Sequence, residues 1–398
     1  MKYKLVTLLM VFLFFSAISI DADEHDFAGR WNIKIQGTGD TFSTAWLRIP
    51  SKLDDHNGAF MWKWGSVGPI SDLTVNDGSI QFSRGQERYK AKLDGSELRG
   101  VATIKNGEQF EFVGRRADEM CDVSGTWTTW PAANRDAKGK IELTANNDGI
   151  SGTAYDPQGN TYAIRDAKLN GRTLAFLAVS SSADVKPRAV EVEIRGDKLM
   201  GIVKVPAQGQ DAPRRLSFEG ERQRKWGEPI KLIHQSSLDG WKPRDSSKKF
   251  GWSVKDGVLE NSPPDVDIMS HAKFRDFRLR LEYFVEPKSN SGVYLRGRYE
   301  LQILGDTQVQ DHGNMAVYSR LKPTKNPLKP GEWNKLDVTL IGRWLTVVLN
   351  GETVHDNEYL EGPTGGAWDP DEEQPGPLLL QGDHGKVLYR NIVVTPVE

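Results

Sequence analysis

Residues Asn290 to Gln302 read Asn-Ser-Gly-Val-Tyr-Leu-Arg-Gly-Arg-Tyr-Glu-Leu-Gln, and the prediction of the fold starts from this stretch. Read as one β-strand, it sends successive side chains to opposite faces. One face would carry these side chains: Tyr294, Arg296, Arg298, Glu300 and Gln302. Such a face is either solvated or lines a cleft. Solvation is the plainer interpretation for an arbitrary sheet, whereas the rest of this chain favours a cleft.

The composition indicates an all-β protein. The 398 residues suffice for two to four domains, and they include 39 Gly and 12 Trp. Many glycines, many aromatic residues and few long helical patterns favour short strands joined by turns. The net charge of −2, from 52 basic and 54 acidic side chains, gives no general electrostatic reason to bind nucleic acid or an anionic membrane.

The N-terminus has the pattern of a secretory signal peptide. Lys2 and Lys4 precede an apolar run from Leu5 to Ile20, and a polar segment follows. We expect residues 1–22 to be removed, which predicts a periplasmic or secreted protein without stable membrane insertion. An uncleaved N-terminal anchor is the alternative. The single cysteine, Cys121, excludes an internal disulfide, and we expect it to be a structural thiol.

Two segments after the signal repeat one another. The matched triplets are Gly29-Arg-Trp31 with Gly125-Thr-Trp127, Leu98-Arg-Gly100 with Leu199-Met-Gly201, and Phe112-Val-Gly114 with Phe218-Glu-Gly220. Both copies consist of short alternating strands separated by Asn-Gly and Asp-Gly turns. We therefore predict two small antiparallel β-barrels, at residues 23–118 and 119–225.

The early Gly-X-Trp followed by a meander resembles the lipocalin- and avidin-like barrels, in which the Trp plugs one end. A small barrel either holds a ligand or is filled by its own side chains, and we expect the filled form. Trp62, Trp64 and Trp130 could stack on sugar if they are exposed, or they could belong to the core or rim.

The C-terminal segment, residues 226–398, carries a more specific resemblance. Its ordered blocks are Gly251-Trp-Ser-Val-Lys-Asp-Gly-Val-Leu259, Asn290-Ser-Gly-Val-Tyr-Leu-Arg296, Tyr299-Glu-Leu-Gln-Ile303, Gly331-Glu-Trp-Asn334, Leu349-Asn-Gly351, Gly376-Pro-Leu-Leu-Leu-Gln-Gly-Asp-His-Gly385 and Tyr389-Arg-Asn-Ile392. In this order the blocks resemble the 3-keto-disaccharide hydrolase domain family. The resemblance implies a concanavalin A-like, laminarinase G-like jelly roll. The many alternating strands without a clear helix agree with that fold.

The resemblance also implies action on glycosides whose C3 hydroxyl has been oxidised to a ketone. The ketone acidifies the C2 proton, so a base can remove it and form an enolate. The enolate expels the C1 substituent, and water then adds to the enone. The chemistry therefore needs a base, a group that stabilises the enolate oxygen and an acid for the departing oxygen.

The first candidate residues lie in the opening stretch. Glu300 is the expected base or metal ligand, with Arg296 or Arg298 as charge stabiliser. Gln302 is the expected hydrogen-bonding partner, and Asn290 is a further substrate-binding candidate. The alternative for Glu300 is a surface ion pair with one of the two arginines, which would contribute little to stability.

A second candidate group follows Leu378-Leu-Leu380 in the polar run Gln-Gly-Asp-His-Gly. Polar residues directly after a buried strand are typical of a functional loop. We expect His384 and Asp383 to take part in acid–base chemistry and Gln381 to bind substrate. A histidine that only bonds its own turn is the alternative for His384.

A third group lies in the polar segment 305–330, which we predict to be a mobile lid. His312 and Tyr318 are its substrate-binding candidates. A divalent metal is left undecided, because the sequence contains no compact ligand motif such as His-Glu-x-x-His.

The sequence therefore predicts a hydrolase acting on a glycoside or oligosaccharide. The main rival is a non-catalytic carbohydrate-binding jelly roll that uses exposed aromatic residues such as Trp344 or Trp368. A structural or adhesive exported module, with the barrels as its interacting parts, is the third alternative.

Overall fold

The computed structural model of the chain describes residues 24–37, 41–52, 57–62, 65–207, 212–234 and 236–398. Apart from loops and turns, these residues form β-strands and one four-residue helix, α1 (Glu24–Phe27). The predicted signal peptide and Trp64 lie outside the described residues. Within the described ranges, no helix is long and apolar enough to cross a membrane.

The first sheet, called barrel 1, is a nine-stranded antiparallel meander. Its strands are β1 (Gly29–Gln36), β2 (Phe42–Ile49), β3 (Ala59–Met61), β4 (Gly68–Pro69), β5 (Ser71–Asn76), β6 (Ser79–Arg84), β7 (Glu87–Asp94), β8 (Glu97–Thr103) and β9 (Gln109–Arg116). Their order in the sheet is β4-β3-β2-β1-β9-β8-β7-β6-β5. The end strands β4 and β5 are joined through Ile70 alone, so the sheet curls back on itself and is barrel-like.

The second sheet, called barrel 2, is a closed eight-stranded barrel. Its strands are β10 (Gly125–Pro131), β11 (Gly139–Asn146), β12 (Gly149–Tyr155), β13 (Thr161–Asn170), β14 (Thr173–Ser180), β15 (Arg188–Arg195), β16 (Lys198–Val205) and β17 (Arg214–Arg222). Each strand pairs with the next, and β17 pairs with β10. The closure removes exposed strand edges.

The repeated Gly-X-Trp has the same structural role in both barrels. Trp127 is fully buried, donates its indole N–H to the carbonyl of Val123 at 3.0 Å and lies 4.3 Å beneath the Arg222 guanidinium. In barrel 1, Trp31 is likewise fully buried, and it bonds the carbonyl of Phe27 at 2.8 Å. A tryptophan thus anchors the start of each barrel.

The remaining strands form a two-sheet sandwich, called the jelly roll. They are β18 (Ile230–Lys231), β19 (Trp241–Pro243), β20 (Ser253–Lys255), β21 (Val258–Glu260), β22 (Ile268–Phe274), β23 (Phe277–Val285), β24 (Asn290–Leu295), β25 (Tyr299–Leu304), β26 (Trp333–Ile341), β27 (Trp344–Leu349), β28 (Glu352–Tyr359), β29 (Gly376–Leu380) and β30 (Val387–Pro396). The larger sheet is ordered β20-β21-β30-β23-β26-β27-β28 with β18 on β30, and the smaller sheet is ordered β19-β22-β29-β24-β25.

One apolar core fills the space between these two sheets. The larger sheet contributes Leu279 and Val338, and the smaller sheet contributes Ile268, Val293 and Leu380. The prediction of two small barrels followed by a jelly roll is confirmed as a fold class.

The opening stretch is a hairpin and not the single strand predicted from its alternation. Arg296 and Gly297, between β24 and β25, have φ angles of 52° and 65°, and the Arg298 N–H bonds the Leu295 carbonyl at 3.0 Å. Positive φ angles at both central residues of the β-turn from Leu295 to Arg298 indicate a type I′ turn. The chain therefore reverses direction at Arg296 and Gly297, and Tyr294 pairs with Glu300 across the two antiparallel strands.

Barrel 1 packs against the jelly roll close to this hairpin. The Trp46 indole donates to the Pro363 carbonyl at 3.1 Å, and the Ser66 hydroxyl lies 3.2 Å from Nε2 of His312. The segment 305–330 is anchored where it meets β25, because Met315 is fully buried and donates its N–H to the Gln302 carbonyl at 2.7 Å, while the Gln302 N–H donates to the Ala316 carbonyl at 2.9 Å. The prediction of a freely mobile lid is wrong for this part of the segment.

Candidate active site

The strand register places two rows of side chains on the outer face of the smaller sheet. One row contains Lys242, Met269, Leu379, Tyr294 and Glu300. The adjoining row contains Arg244, Asp267, Gln381, Gly292 and Gln302. The residues between these rows, such as Ile268 and Leu380, belong to the core. Side chains from five strands therefore meet on one surface, which is the candidate active site.

Glu300 lies on β25, the strand at one edge of the smaller sheet, and is 3% exposed. Its carboxyl group lies over Gly292, where an added Cβ would approach Oε1 to 2.4 Å. The Tyr294 hydroxyl lies 2.9 Å from Oε2 of Glu300 and 3.1 Å from the carbonyl oxygen of Gly365. The glycine provides the space for this carboxyl group, and the tyrosine holds it in position.

The surroundings of Glu300 favour its protonated form. Burial raises the pKa of Glu300 to about 8, in spite of the hydrogen bond from Tyr294, which lowers it. The carboxylates of Asp267 and Asp383 raise it further. In the part of the chain that the structure describes, no ion pair joins Glu300 to a cation. The alternative of a surface ion pair with Arg296 or Arg298 is therefore wrong.

Asp267 and Arg244 form a second polar group on the same face, and the sequence reasoning missed both. Asp267 accepts the Gly382 N–H at 3.1 Å through Oδ1 and the Arg244 guanidinium at 3.2 Å through Oδ2. Arg244 also donates to the carbonyl of Gly366 at 2.6 Å. These two residues come from loops without a motif, so only the pairing of β19 with β22 brings them together.

The predicted loop from Gln381 to Gly385 does meet the hairpin. The Gln381 N–H donates to the Gly292 carbonyl at 3.0 Å. Asp383 and His384 follow in the exposed part of the loop, where Nδ1 of His384 lies 2.5 Å from Oδ1 of Asp383. The effect of Asp383 on the pKa of Glu300 shows that these carboxyl groups interact electrostatically.

Two predicted substrate-binding residues have unused acceptor atoms. Oδ1 of Asn290 and Oε1 of Gln381 are both buried, and neither has a hydrogen-bond donor within the described residues. Buried acceptors without a donor are uncommon in folded proteins, and sites that bind polar ligands are one place where they occur.

The two jelly-roll tryptophans that were candidates for sugar binding, Trp344 and Trp368, lie in different parts of the molecule. Trp368 packs with Met269, Tyr294 and Leu379 on the outer face and is partly exposed. Trp344 instead lies against barrel 2, where an added Cβ at Gly196 would meet it at 2.9 Å. Of these tryptophans, only Trp368 lies on the candidate surface.

Arg296 and Arg298 do not take the places predicted for them. Arg296 is fully buried, and its guanidinium donates to the carbonyls of Gly342 and Glu372. Arg298 is 1% exposed and donates to Oδ1 of Asp369 at 2.6 Å. The hairpin turn directs both guanidinium groups toward acceptors within the protein. Their predicted place on the face that carries Glu300 is therefore wrong.

His312 and Tyr318 lie at the edge of the site that adjoins barrel 1. The Tyr318 N–H donates to the Glu300 carbonyl at 3.1 Å, and its ring lies edge-on to His312 at 4.8 Å. Burial, followed by the charge of Glu300, raises the pKa of Tyr318. Ser66 of barrel 1 contacts both side chains, so barrel 1 contributes to this edge.

Two further predictions concern the thiol of Cys121 and a possible metal site. Burial raises the pKa of the Cys121 thiol to about 11, which disfavours the reactive thiolate. No group of three or more His, Cys, Asp or Glu side chains among the described residues is arranged to hold a metal ion.

Two crystal structures from Parabacteroides distasonis ATCC 8503, each described as a putative glycosyl hydrolase, are similar to this chain. One is 27% identical, with 46% of this chain and 84% of that chain covered and a TM-score of 0.37. The other is 20% identical, with 43% and 94% covered and a TM-score of 0.36.

A carbohydrate-binding module, CBM66 from Bacillus subtilis, is 13% identical, with 38% of this chain and 93% of that chain covered and a TM-score of 0.27. No curated protein matches the chain. The family model of the 3-keto-alpha-glucoside-1,2-lyase-like domain matches residues 228–395. The match lies within the C-terminal segment whose blocks carry the resemblance, so the predicted resemblance is confirmed.

Proposed function

We propose that the jelly roll cleaves 3-keto-glycosides by elimination followed by hydration, with Glu300 as the base. The observation that carries this proposal is a buried carboxyl group with no cationic partner among the described residues, on a sheet face where two buried side-chain oxygens likewise lack a donor from those residues. A carboxyl group whose pKa is raised toward the working pH is a stronger base once it is ionised. The match of residues 228–395 to the lyase-like family supports the same substrate class.

In the first step, ionised Glu300 takes the C2 proton of the substrate. The C2–H electron pair forms the enolate with the C3 ketone, and its collapse breaks the C1–O bond to leave a C1–C2 double bond. The Tyr294 hydroxyl is a positioning group in this step, because it lies within hydrogen-bond distance of both Glu300 and the Gly365 carbonyl. It can donate to Glu300 when the carboxylate is ionised and to Gly365 when Glu300 carries the proton.

The departing C1 oxygen needs a proton, and His384 is the candidate donor. Its Nδ1 faces Asp383, which orients the ring and leaves Nε2 on the outer side of an exposed loop. Water then adds across the C1–C2 double bond, so the net products are a free 3-keto-sugar and the released alcohol. Arg244 is the candidate group that stabilises the enolate charge, because it is a cation on the same sheet face as Glu300, where Asp267 and the Gly366 carbonyl hold its guanidinium in position.

The substrate would bind through hydroxyl and ring contacts. Sugar hydroxyls could donate to the unused oxygens of Asn290 and Gln381. Trp368 is placed for stacking against a sugar ring. Gln302, His312 and Tyr318 would define the edges of the subsite.

We further propose that the protein is exported to the periplasm or secreted. The support is the basic start and apolar run at residues 1–22, outside the described part of the chain. Expression of the full chain with fractionation, followed by intact mass measurement, should show a product shortened near residue 22 outside the cytoplasm. A full-length cytoplasmic product would contradict export.

The direct test of the activity uses the purified protein with p-nitrophenyl 3-keto-glucoside and with its unoxidised parent. Each substrate is incubated with added divalent metals and, separately, with a chelator. We expect release of p-nitrophenol from the keto form only. If no metal condition gives release, the enzyme proposal is wrong, and saturable binding of the substrate without release would favour the non-catalytic binding protein.

A further inference from the structure

The two barrels share one repeated frame but differ in what fills them. In barrel 1, the rings of Phe60 and Tyr89 have centroids 4.6 Å apart, and Phe82 stacks on Tyr89 at 4.7 Å. Trp62 packs on the same cluster, 5.7 Å from Tyr89. Aromatic rings therefore occupy this part of barrel 1.

The strand register identifies the matching positions in barrel 2. Counted outward from the paired Gly-X-Trp strands, Ala154 takes the position of Phe60. Counted from the hairpin that joins the next two matched strands, Val190 takes the position of Tyr89. Two large rings are thus replaced by small aliphatic side chains at equivalent places.

Barrel 2 has a cavity of about 550 Å³ at this place. Its apolar lining includes Ile141, Ala154, Phe176, Val190, Val203 and Phe218. Leu216 also lines the cavity at its mouth. It is 49% exposed, so the described residues leave about half of this apolar side chain uncovered. The volume is within the range of small-molecule sites in proteins.

The mouth of the cavity carries a positive charge. The Arg188 guanidinium lines the cavity, 4.8 Å over the ring of Tyr162, and forms no ion pair with any carboxylate of the described residues. Arg215 lines the same mouth. Asp156 lies there too, but its carboxylate accepts hydrogen bonds from Asn160 at 2.9 Å and from Tyr162 at 3.1 Å.

We propose that barrel 2 binds an amphipathic monoanion, with the apolar body in the cavity and a carboxylate at Arg188. An apolar interior favours an aliphatic or aromatic body, and a guanidinium at the rim that forms no ion pair among the described residues favours a planar carboxylate head. This site is separate from the jelly roll and goes beyond the proposed glycoside cleavage.

The test is calorimetric titration of the full-length protein with decanoate, decanol and decyltrimethylammonium. Decanoate should bind with one-to-one stoichiometry, and its affinity should be about tenfold or more above that of the other two amphiphiles. The difference in affinity corresponds to one charge-assisted hydrogen bond between its carboxylate and Arg188. Absence of saturable one-to-one binding would overturn the site. Equal affinities for decanoate and decyltrimethylammonium would overturn the ligand class.

Variants then locate the binding. The double variant Ala154→Phe, Val190→Tyr transfers the rings of barrel 1 into barrel 2 and should abolish decanoate binding. Ala189→Tyr adds the same ring to the exposed outer face of β15 and should leave binding unchanged. Unchanged binding by the folded double variant would contradict the proposal.

A third variant keeps the test informative if the double variant does not fold. Arg188→Gln should bind decanoate about as weakly as decanol, while decanol binding is retained. Thermal unfolding checks that each variant is folded. An Arg188→Gln variant that still prefers decanoate tenfold over decanol would show that Arg188 does not hold the carboxylate.

Discussion

Glu300 and Glu372 are both buried glutamates beside the same hairpin, yet their pKa values move in opposite directions. Burial raises the pKa of Glu300 to about 8, and no cation among the described residues opposes this effect. Burial also acts on Glu372, but the charges of Arg30 and Arg343 outweigh it and hold its pKa at about 2. The partners of a buried carboxyl group, and not its burial, decide which protonation state the fold stabilises.

The two glutamates also serve different parts of the molecule. Tyr299 and Glu300 are neighbours on β25 and point to opposite faces, and the Tyr299 hydroxyl donates to Glu372 at 2.6 Å. Glu372 binds Arg30 of barrel 1, so it links barrel 1 to the jelly roll. Glu300 instead faces the outer surface of the smaller sheet, where its carboxyl group contacts the Tyr294 hydroxyl at 2.9 Å. Glu372 therefore holds barrel 1 to the jelly roll, whereas the Glu300 carboxyl group forms no ion pair with barrel 1 among the described residues.

The largest expected effect is on catalysis by Glu300→Gln. Loss of a general base should lower kcat/KM for the 3-keto-glycoside by about 10³-fold. The variant should be at least as stable as the wild type at pH 8, because the amide removes a buried group that ionises unfavourably in the fold. Initial rates and thermal unfolding measure the two effects. Activity within a factor of ten of the wild type would remove Glu300 from the mechanism.

Glu372→Gln should have the next largest effect, and on stability. Removing one partner of a buried charge network costs about 3 kcal/mol or more. Since the folded pKa of Glu372 lies below that of an unfolded glutamate, about 4.3, its stabilisation is present above that pH and is lost as the pH falls toward 2. Urea unfolding should show a gap between variant and wild type that narrows over this range. A gap that is independent of pH would contradict the ionised state of Glu372.

The third largest effect should be that of pH on the kcat/KM of the wild-type protein. Only ionised Glu300 can accept the C2 proton, so kcat/KM should rise about tenfold per pH unit below pH 8. It should level off above pH 8 with p-nitrophenyl 3-keto-glucoside, because p-nitrophenolate leaves as an anion and does not need the proton from His384. Rates of p-nitrophenol release between pH 6 and 9.5, corrected for the ionisation of p-nitrophenol, provide the profile. A profile that falls across this range would assign the limiting step to an acid.

The smallest effect should come from Tyr294→Phe. The Tyr294 hydrogen bond lowers the pKa of Glu300, so its loss should move the midpoint of the pH profile upward and lower the rate at pH 7 about three- to tenfold. The matched control is Tyr299→Phe, which removes the hydroxyl that bonds Glu372. That variant should lose stability and keep the wild-type midpoint. A shared shift in both variants would indicate a general structural change.

The strands, the tandem repeat and the order of the C-terminal blocks could be predicted, because they depend on local alternation and on turn residues. The hairpin at Arg296 was missed, since an arginine with positive φ is uncommon and needs tertiary support. That support comes from the carbonyls of Gly342 and Glu372, which are distant in the chain. Gly297 was the one local signal of the turn.

The site was predictable only in part for the same reason. Glu300, Gln302, Asn290 and the loop carrying Gln381 were found as ordered motif residues, and the pairing of β24 with β29 places them on one face. Arg244 and Asp267 gave no signal, because single polar residues in loops are common and only their sheet neighbours make them part of a site.

The sequence by itself determined the all-β character, the two repeated barrels and the family type of the C-terminal domain, because alternation, turns and motif order are written along the chain. The tertiary structure alone decided which of the charged groups near the hairpin are paired. Burial and the distance to a cation depend on elements far apart in sequence, so Glu300 and Glu372 cannot be told apart until the fold brings Arg30 and Arg343 to one of them.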